Sequence, residues 1–219
     1  MAAGSSIGKG RVAIVTGGGT GIGRSAAQHL ARDGWHVVVT GRRKEELDKT
    51  IAGAQPADGA KMLAITADVG KAAEVDRLFA ETLKAFGRVD FLFNNAGMGA
   101  PAVPIEELPI ETWQAVVDVN LTGSFLCARA AVKQFKAQSP QGGRIVNNGS
   151  ISAHAPRPNS IAYTSTKHAI TGLTKCLQLD GRKFNIAAGQ LDIGNADTAL
   201  GGRMKAGVPQ ANGTIAAEP

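Results

Sequence analysis

The sequence has few aromatic residues and few cysteines, and each shortage excludes a class of protein. Aromatic residues make up 5% of the 219 residues, while 28 are glycine, which favours tight turns and close backbone packing over a large aromatic core. The two cysteines, Cys127 and Cys176, form no CxxC pair, so we expect two reduced core thiols rather than disulfides. The four histidines show no metal-ligand spacing, and no metal site is predicted.

Features of exported and membrane proteins are also missing. The opening residues, MAAGSSIGKG, contain no apolar signal segment, and no stretch is expected to reach the length of a membrane span. We therefore expect a cytoplasmic protein with no membrane partner.

The positive charge lacks the organisation that nucleic-acid binding requires. The net charge is +6 and the isoelectric point is about 9.5, but lysine and arginine are scattered apart from short clusters at Arg42-Arg43-Lys44 and Arg182-Lys183. No zinc finger, basic stripe or aromatic platform accompanies them. We predict no nucleic-acid partner, and an anionic small ligand such as a phosphorylated cofactor accounts better for the charge.

Short apolar, β-branched runs alternate with helical patterns along most of the chain. Continuous apolar strands suit a parallel sheet buried on both faces, and the alternation requires right-handed crossovers. The predicted strands are Val12–Thr16, His36–Thr40, Met62–Ala67, Val89–Asn94, Arg144–Asn147 and Phe184–Gln190. The predicted helices are Gly21–Asp33, Lys44–Gly53, Ala72–Phe86, about Ile110–Lys136 and Ala162–Asp180. We predict one doubly wound α/β domain over residues 1–219, with ligands at the carboxyl ends of the strands.

The pattern changes after Gln190, where the residues become small, polar and rich in glycine. We expect residues 191–219 to form a substrate loop or a truncated C-terminal segment, with at most a short helix near Thr198–Lys205.

A glycine-rich stretch joins the first predicted strand to the first helix. Glycine allows a ligand to approach the backbone closely, and a helix start offers free amide groups and positive potential to a pyrophosphate. The spacing departs from the strict G-x-G-x-x-G pattern, and Gly18–Ser25 is one residue away from a P-loop, with Arg24 in place of lysine. Nucleotide triphosphate hydrolysis and a purely structural turn therefore remain alternatives. The predicted cofactor residues of this loop are Gly17, Gly19, Thr20, Gly21, Ile22 and Gly23.

The end of the second predicted strand lacks an acidic residue. An Asp or Glu about 20 residues after such glycines binds the ribose 2′-hydroxyl of NAD. This position is followed instead by Arg42 and Arg43, whose guanidinium groups suit a 2′-phosphate. We therefore favour NADP over NAD. A solvated, positively charged helix start is the alternative interpretation.

Several short motifs follow one another in order over most of the chain: Thr16-Gly17-x-x-x-Gly21-Ile22-Gly23, Asp68-Val69, Asn94-Asn95-Ala96-Gly97, Asn120, Ser150 and Tyr163-x-x-x-Lys167. Together these motifs resemble the short-chain dehydrogenase/reductase family, in its shorter, single-domain subclass. The resemblance implies a Rossmann-type sheet of order 3-2-1-4-5-6. It also implies cofactor contacts at Asp68, Val69, Asn95, Ala96 and Gly97, and homodimers or homotetramers.

Two features depart from the family pattern. Where the family places a hydroxyl residue near the nicotinamide amide, this chain has Ile193, so backbone groups or a nearby side chain must bind the amide. The usual seventh strand also has no counterpart before Pro219. A sixth strand without that neighbour would leave an exposed sheet edge.

Tyr163 and Lys167 are four residues apart, so they share one face of the predicted helix. The resemblance implies that Tyr163 gives a proton to a carbonyl oxygen in reduction and takes it back in oxidation. It implies that Lys167 lowers the pKa of Tyr163, together with the charge of oxidised nicotinamide, and binds the cofactor ribose. A packed core tyrosine and a solvated lysine are the structural alternatives. Tyr163 and Lys167 are also counted among the cofactor residues.

Two further residues complete the predicted catalytic set. Ser150 would donate a hydrogen bond to the substrate oxygen, unless it is only a turn-forming serine. Asn120 would bend the long helix and support a proton relay to Lys167, unless it is only a buried, satisfied amide. The sequence thus predicts an NADP-dependent oxidoreductase that interconverts a carbonyl and an alcohol. A silent dinucleotide-binding sensor or an inactive truncated fragment is the alternative.

Overall fold

A computed structural model describes residues 8–196, 198 and 207–217 of the protein. The central strands are β1 (Val12–Thr16), β2 (His36–Gly41), β3 (Met62–Thr66), β4 (Phe91–Asn94), β5 (Gly143–Asn148) and β6 (Ile186–Leu191). The helices are α1 (Gly21–Arg32), α2 (Lys44–Ala52), α3 (Ala72–Phe86), α4 (Ile110–Val117), α5 (Gly123–Ala137) and α6 (Ile161–Gly181). The six predicted strands and the predicted helices between Gly21 and Asp180 are present, with small shifts at their ends, as at β4, which begins at Phe91 rather than Val89.

The six strands form one parallel sheet of order β3-β2-β1-β4-β5-β6, as predicted. Strand β1 is apolar along its length, and its first four residues are fully buried, because helices cover both faces of the sheet. Ala13 and Val15 pack with α1 and α2 on one face, whereas Ile14 packs with α3 and α5 on the other. The order reverses between β1 and β4, where doubly wound folds bind ligands.

The predicted long helix contains an irregular turn. Between α4 and α5, residues Asp118–Thr122 form a π-helical turn, which contains Asn120. Such turns widen the backbone spiral and often occur at functional sites. The helix is thus interrupted at the asparagine that was expected to bend it.

The stretch Ile110–Ala137 is long and apolar enough to cross a membrane by length and composition. The expectation that no stretch reaches this length was therefore wrong, because the stretch is apolar on average although it contains charged residues such as Asp118 and Arg129. A core helix of a soluble protein passes the same test. Cys127 and Phe135 of this stretch are buried against the sheet.

The cysteines differ in their environments. Cys127 is buried in the core, and burial raises the pKa of its thiol to about 12. The prediction of a second core thiol was wrong, since Cys176 is exposed on α6. Its helix face points away from the sheet, unlike that of the buried Thr174 nearby.

The C-terminal segment contains a small hairpin that the sequence did not predict. Strands β7 (Val208–Pro209) and β8 (Ile215–Ala216) pair with each other and form a separate antiparallel sheet. Within the described residues, β6 pairs only with β5. Nearly all of the short helix predicted near Thr198–Lys205 lies outside the described residues.

Candidate active site

A cavity of about 430 Å³ lies at the carboxyl ends of the central strands. Nearly all of the residues predicted to bind a cofactor lie in its wall, from the glycine loop at one end to Tyr163 and Lys167 at the other. The predicted residues in its wall are Gly17, Gly19, Thr20, Gly21, Ile22, Arg42, Arg43, Asp68, Val69, Asn95, Ala96, Gly97, Tyr163 and Lys167. Residues from distant parts of the sequence thus meet in one cleft.

The glycine loop is shaped for a close backbone approach. Gly17 has φ +63° and Gly21 has φ +49°, a region that side chains rarely permit. The side chain of Thr20, the N-cap residue of α1, makes no capping hydrogen bond. The loop therefore fits the pyrophosphate of a dinucleotide.

Gly23 does not line the cavity, in contrast to the prediction. A Cβ atom at this position would lie 2.3 Å from the main-chain oxygen of Gly17 and 2.5 Å from Nδ2 of Asn95. Gly23 therefore allows α1 to pack closely against the loop and the end of β4. Its contribution to the cleft is indirect.

The near match to a P-loop has a structural explanation. Arg24, which occupies the position of the P-loop lysine, forms an ion pair with Glu46 at 2.8 Å. Its guanidinium also hydrogen-bonds Oγ1 of Thr50 at 3.1 Å and the main-chain oxygen of Gly19. Arg24 thus connects the glycine loop to α2 and is not part of the cavity wall.

Arg42 and Arg43 are exposed at the cleft where β2 leads into α2. Arg43 is the N-cap residue of α2 and makes no side-chain capping bond. Two cations near the positive end of a helix are unfavourable unless an anion binds between them. Their position is therefore suited to a phosphate group.

The two middle motifs shape the opposite wall of the cleft. Oδ1 of Asp68 accepts a hydrogen bond from the amide of Gly70 at 3.1 Å, which stabilises the turn after β3. Asn95 donates through Nδ2 to the main-chain oxygen of Thr16 at 2.9 Å, and the hydroxyl of Thr16 accepts from the amides of Asn95 and Ala96, both at 3.0 Å. These contacts join the end of β4 to the beginning of the glycine loop.

Tyr163 and Lys167 lie near the start of α6, with Lys167 Nζ 5.4 Å from the centroid of the tyrosine ring. The side chain of Lys167 is only 5% exposed, and its ammonium group donates to the main-chain oxygen of Asn148 at 2.6 Å. The solvated-lysine interpretation is thus wrong. Both side chains also line the cavity, so Tyr163 is more than a packed core residue.

Burial determines the pKa values of this pair. It raises the pKa of Tyr163, although a hydrogen bond with Ser150 and the charge of Arg157 act in the opposite direction. Burial also lowers the pKa of Lys167 to about 8, while the charge of Asp192 raises it. The chain's own groups therefore raise the pKa of Tyr163 overall, because desolvation outweighs the effects of Ser150 and Arg157. The predicted lowering depends also on the charge of oxidised nicotinamide.

Ser150 and Asn120 lie behind the cavity wall. Ser150 is buried, its side chain acts to lower the pKa of Tyr163, and its Oγ accepts from the amide of Ser152 at 3.1 Å. The side chain of Asn120 connects three groups: it accepts from the amide of Met98 at 2.8 Å and donates to the oxygen of Met98 at 3.0 Å and to Oγ1 of Thr166 at 3.2 Å. Asn120 therefore holds the segment after Gly97 against α6.

Several residues of the site were not predicted. Asn148 supplies the acceptor for Lys167, and Thr198 lines the cavity next to Gly21. Asp192 accepts a hydrogen bond from the amide of Ser150 at 3.1 Å. Asn148 is the last residue of β5, at the same edge of the sheet as the other residues of the site.

A parallel sheet of this order, with a glycine loop after β1, defines a Rossmann-type dinucleotide-binding protein. A family model described as short chain dehydrogenase matches residues 11–208. A 3beta-hydroxysteroid dehydrogenase of Mediterraneibacter gnavus is 35% identical over 208 residues, which cover 95% of this chain and 74% of that protein. The chain belongs to the short-chain dehydrogenase/reductase family and is an oxidoreductase.

Solved structures have the same architecture. A 3-ketoacyl-(acyl-carrier-protein) reductase from Brucella melitensis, in complex with NADH, has a TM-score of 0.83 and 33% identity, covering 88% of this chain and 78% of its own. An NAD+-bound xylitol dehydrogenase has a TM-score of 0.81 and 32% identity, covering 85% and 71%. Nicotinamide dinucleotides are therefore bound by proteins that share this fold and much of its sequence.

Proposed function

We propose that the protein interconverts a carbonyl and an alcohol with NADP(H), using Tyr163 as the proton donor and acceptor. The observation that supports this most is the position of Tyr163 and Lys167 in the wall of the same cavity as the glycine loop. When bound, the nicotinamide supplies or accepts the hydride. We place the catalytic unit in one domain over residues 1–219.

The protein side of the reaction is a proton transfer. Because burial raises the pKa of Tyr163, its phenol stays protonated near neutral pH and can donate to a carbonyl oxygen. Ser150, whose side chain acts to lower the pKa of Tyr163, would bind the same substrate oxygen as negative charge develops there.

Lys167 has two functions in this proposal. Its ammonium group would bind the ribose hydroxyls of the cofactor, which agrees with its place in the cavity wall. Its pKa of about 8 also allows it to give up a proton near neutral pH, so it can resupply Tyr163. Asn120, beside α6 in the π-helical turn, would support this relay.

The preference for NADP follows from charge. Arg42 and Arg43 line the cavity, where an NAD-specific protein would need an acidic acceptor for the ribose hydroxyl. A 2′-phosphate would make charge-assisted hydrogen bonds with both guanidinium groups. The glycine loop and Asp68, Val69, Asn95, Ala96 and Gly97 would hold the remainder of the dinucleotide.

We further propose a cytoplasmic homodimer or homotetramer that acts on small molecules, with residues 191–217 contributing to the substrate site. The second candidate function is a silent dinucleotide-binding sensor, which Ile193 favours because it removes a hydroxyl near the nicotinamide amide. The intact set of Ser150, Tyr163 and Lys167 favours catalysis instead.

A cofactor and substrate panel tests these proposals. The purified chain and a C-terminally extended version are mixed with ketones and NADPH or NADH, and with alcohols and NADP or NAD. We expect nicotinamide-dependent turnover, with lower KM for NADPH than for NADH. Binding of cofactor without turnover by either version would identify the sensor, and failure to bind either cofactor would contradict the proposed function.

A further inference from the structure

Asp192 lies directly opposite Ser150 because the two segments that follow β5 and β6 continue side by side. The amide of Gly149 donates to the main-chain oxygen of Leu191 at 2.8 Å, and the amide of Ile151 donates to that of Ile193 at 3.3 Å. These two bonds flank Ser150 and Asp192. The backbone therefore fixes both residues in register before their side chains contribute.

The carboxylate of Asp192 accepts hydrogen bonds from three groups. Oδ1 accepts from the amide of Ser150 at 3.1 Å and from Nε2 of Gln190 at 2.6 Å, and Oδ2 lies 2.8 Å from Nε2 of His154. Gln190 is itself held by Oγ1 of Thr171 at 3.0 Å. One anion thus joins the Ser150 turn, the end of β6 and the histidine that follows the turn.

The residue next to Ser150 has no side chain, and the carboxylate occupies the space that one would need. A Cβ atom on Gly149 would lie 2.1 Å from Oδ1 of Asp192 and 2.8 Å from Cγ of Gln190. Glycine at this position therefore allows the acid to approach the main chain of Ser150. The glycine at position 149 and the geometry of the turn therefore both fit the carboxylate of Asp192 beside the main chain of Ser150.

We propose that Asp192 is a positioning residue that holds the main chain of Ser150, with Gln190 and His154 orienting its carboxylate. This inference rests on the proposed function, because Ser150 contacts the substrate oxygen only in that reaction. Holding the Ser150 backbone limits where its hydroxyl can lie relative to Tyr163. A serine that is already oriented loses less conformational freedom in the transition state.

The charge of Asp192 also reaches the catalytic lysine. Burial lowers the pKa of Lys167, and Asp192 raises it, so the anion favours the ammonium form. Burial raises the pKa of Asp192 itself, but the hydrogen bonds from His154, Gln190 and the Ser150 amide outweigh this and lower it. Among the described residues, the charged and titratable groups around this turn are His154, Lys167, Tyr163 and Arg157.

The test is Asp192→Asn, which keeps the shape and one oxygen acceptor but removes the charge. We follow the amide proton of Ser150 and the titration of Lys167 by NMR, and kcat against pH. We expect the amide signal to move upfield, the Lys167 midpoint to fall, and kcat to decrease about tenfold, as for loss of a hydrogen bond to a charged group. The basic limb of the kcat profile should move to lower pH, with cofactor KM within about twofold.

Two variants complete the experiment. His154→Ala changes a side chain that is 63% exposed, so the fold should survive, and it should move the Ser150 signal in the same direction by a smaller amount. Asp180→Asn, at the opposite end of α6, should move neither signal and leave kcat unchanged. Unchanged Ser150 and Lys167 signals in Asp192→Asn and His154→Ala would overturn the proposal. Both signals are measured without turnover, so a failure of the proposed function would appear separately, as absent cofactor binding in the native chain.

Discussion

The ammonium group of Lys167 donates a hydrogen bond to the main-chain oxygen of Asn148 at 2.6 Å. This contact joins α6 to the carboxyl end of β5 and fixes a lysine that is only 5% exposed. Burying a charged lysine in this way costs folding free energy. A position with a purely structural role does not require a charge, so this cost indicates a functional role for Lys167. The same contact also places the ammonium group beside the ring of Tyr163, at 5.4 Å from its centroid.

Replacing the phenol should stop proton transfer while the cofactor site remains. Tyr163→Phe removes the hydroxyl but keeps the ring that lines the cavity. We expect kcat to fall by about 10²–10⁴-fold, the usual contribution of general acid catalysis. Fluorescence titration should give an NADPH affinity within about threefold of the native value. Hydride transfer that survives within about tenfold would show that Tyr163 is not the proton donor.

Lys167 should make stability depend on pH. Its pKa is lowered from 10.5 to about 8, so between these values the unfolded chain binds more protons than the folded one. The free energy of unfolding therefore rises with pH in this window, by at most about 3 kcal/mol. Urea unfolding at several pH values measures this effect. The free energy of unfolding of the native protein minus that of Lys167→Met should increase between about pH 8 and pH 10. A difference that stays constant with pH would contradict the buried, titrating lysine.

Arg42 and Arg43 should distinguish the two cofactors. The double change Arg42→Gln and Arg43→Gln removes both guanidinium groups at the end of β2. We expect the Kd for NADPH to rise about 10- to 100-fold, the value of a charge-assisted hydrogen bond, and the Kd for NADH to change little. Arg129→Gln, on the exposed face of α5, serves as the matched control. Equal losses for both cofactors would indicate that the arginines do not bind a 2′-phosphate.

Two glycines in helices should respond to alanine in opposite ways. Gly23→Ala would place a Cβ atom 2.3 Å from the oxygen of Gly17, which is main chain and cannot move aside easily. We expect a loss of about 1–3 kcal/mol in the free energy of unfolding, together with weaker cofactor binding. Gly172→Ala in α6 meets no atom within 4 Å and should instead stabilise by about 0.5–1 kcal/mol. Urea unfolding measures both, and a neutral Gly23→Ala would contradict its packing role.

Local patterns in the sequence were enough to predict the main elements of the fold. The apolar run of β1 and the helical pattern of α3 each specify an element without reference to the rest of the chain, and both bounds were predicted correctly. The sheet order came from the motifs that resemble the family. The β7–β8 hairpin was missed because its strands contain only two residues each and carry no periodic signal.

The sequence by itself determined which chemical groups reach the cleft. Glycines after β1 and the Tyr163–Lys167 spacing are local features, and the parallel sheet brings the ends of its strands to one edge. Only the tertiary structure decided the pKa values and exact positions of those groups, because both depend on burial and on contacts between distant residues. The raised pKa of Tyr163, the indirect place of Gly23 and the bond from Ser150 to Asp192 all depend on such packing. Spacing along the chain carries no measure of desolvation or of a partner 42 residues away.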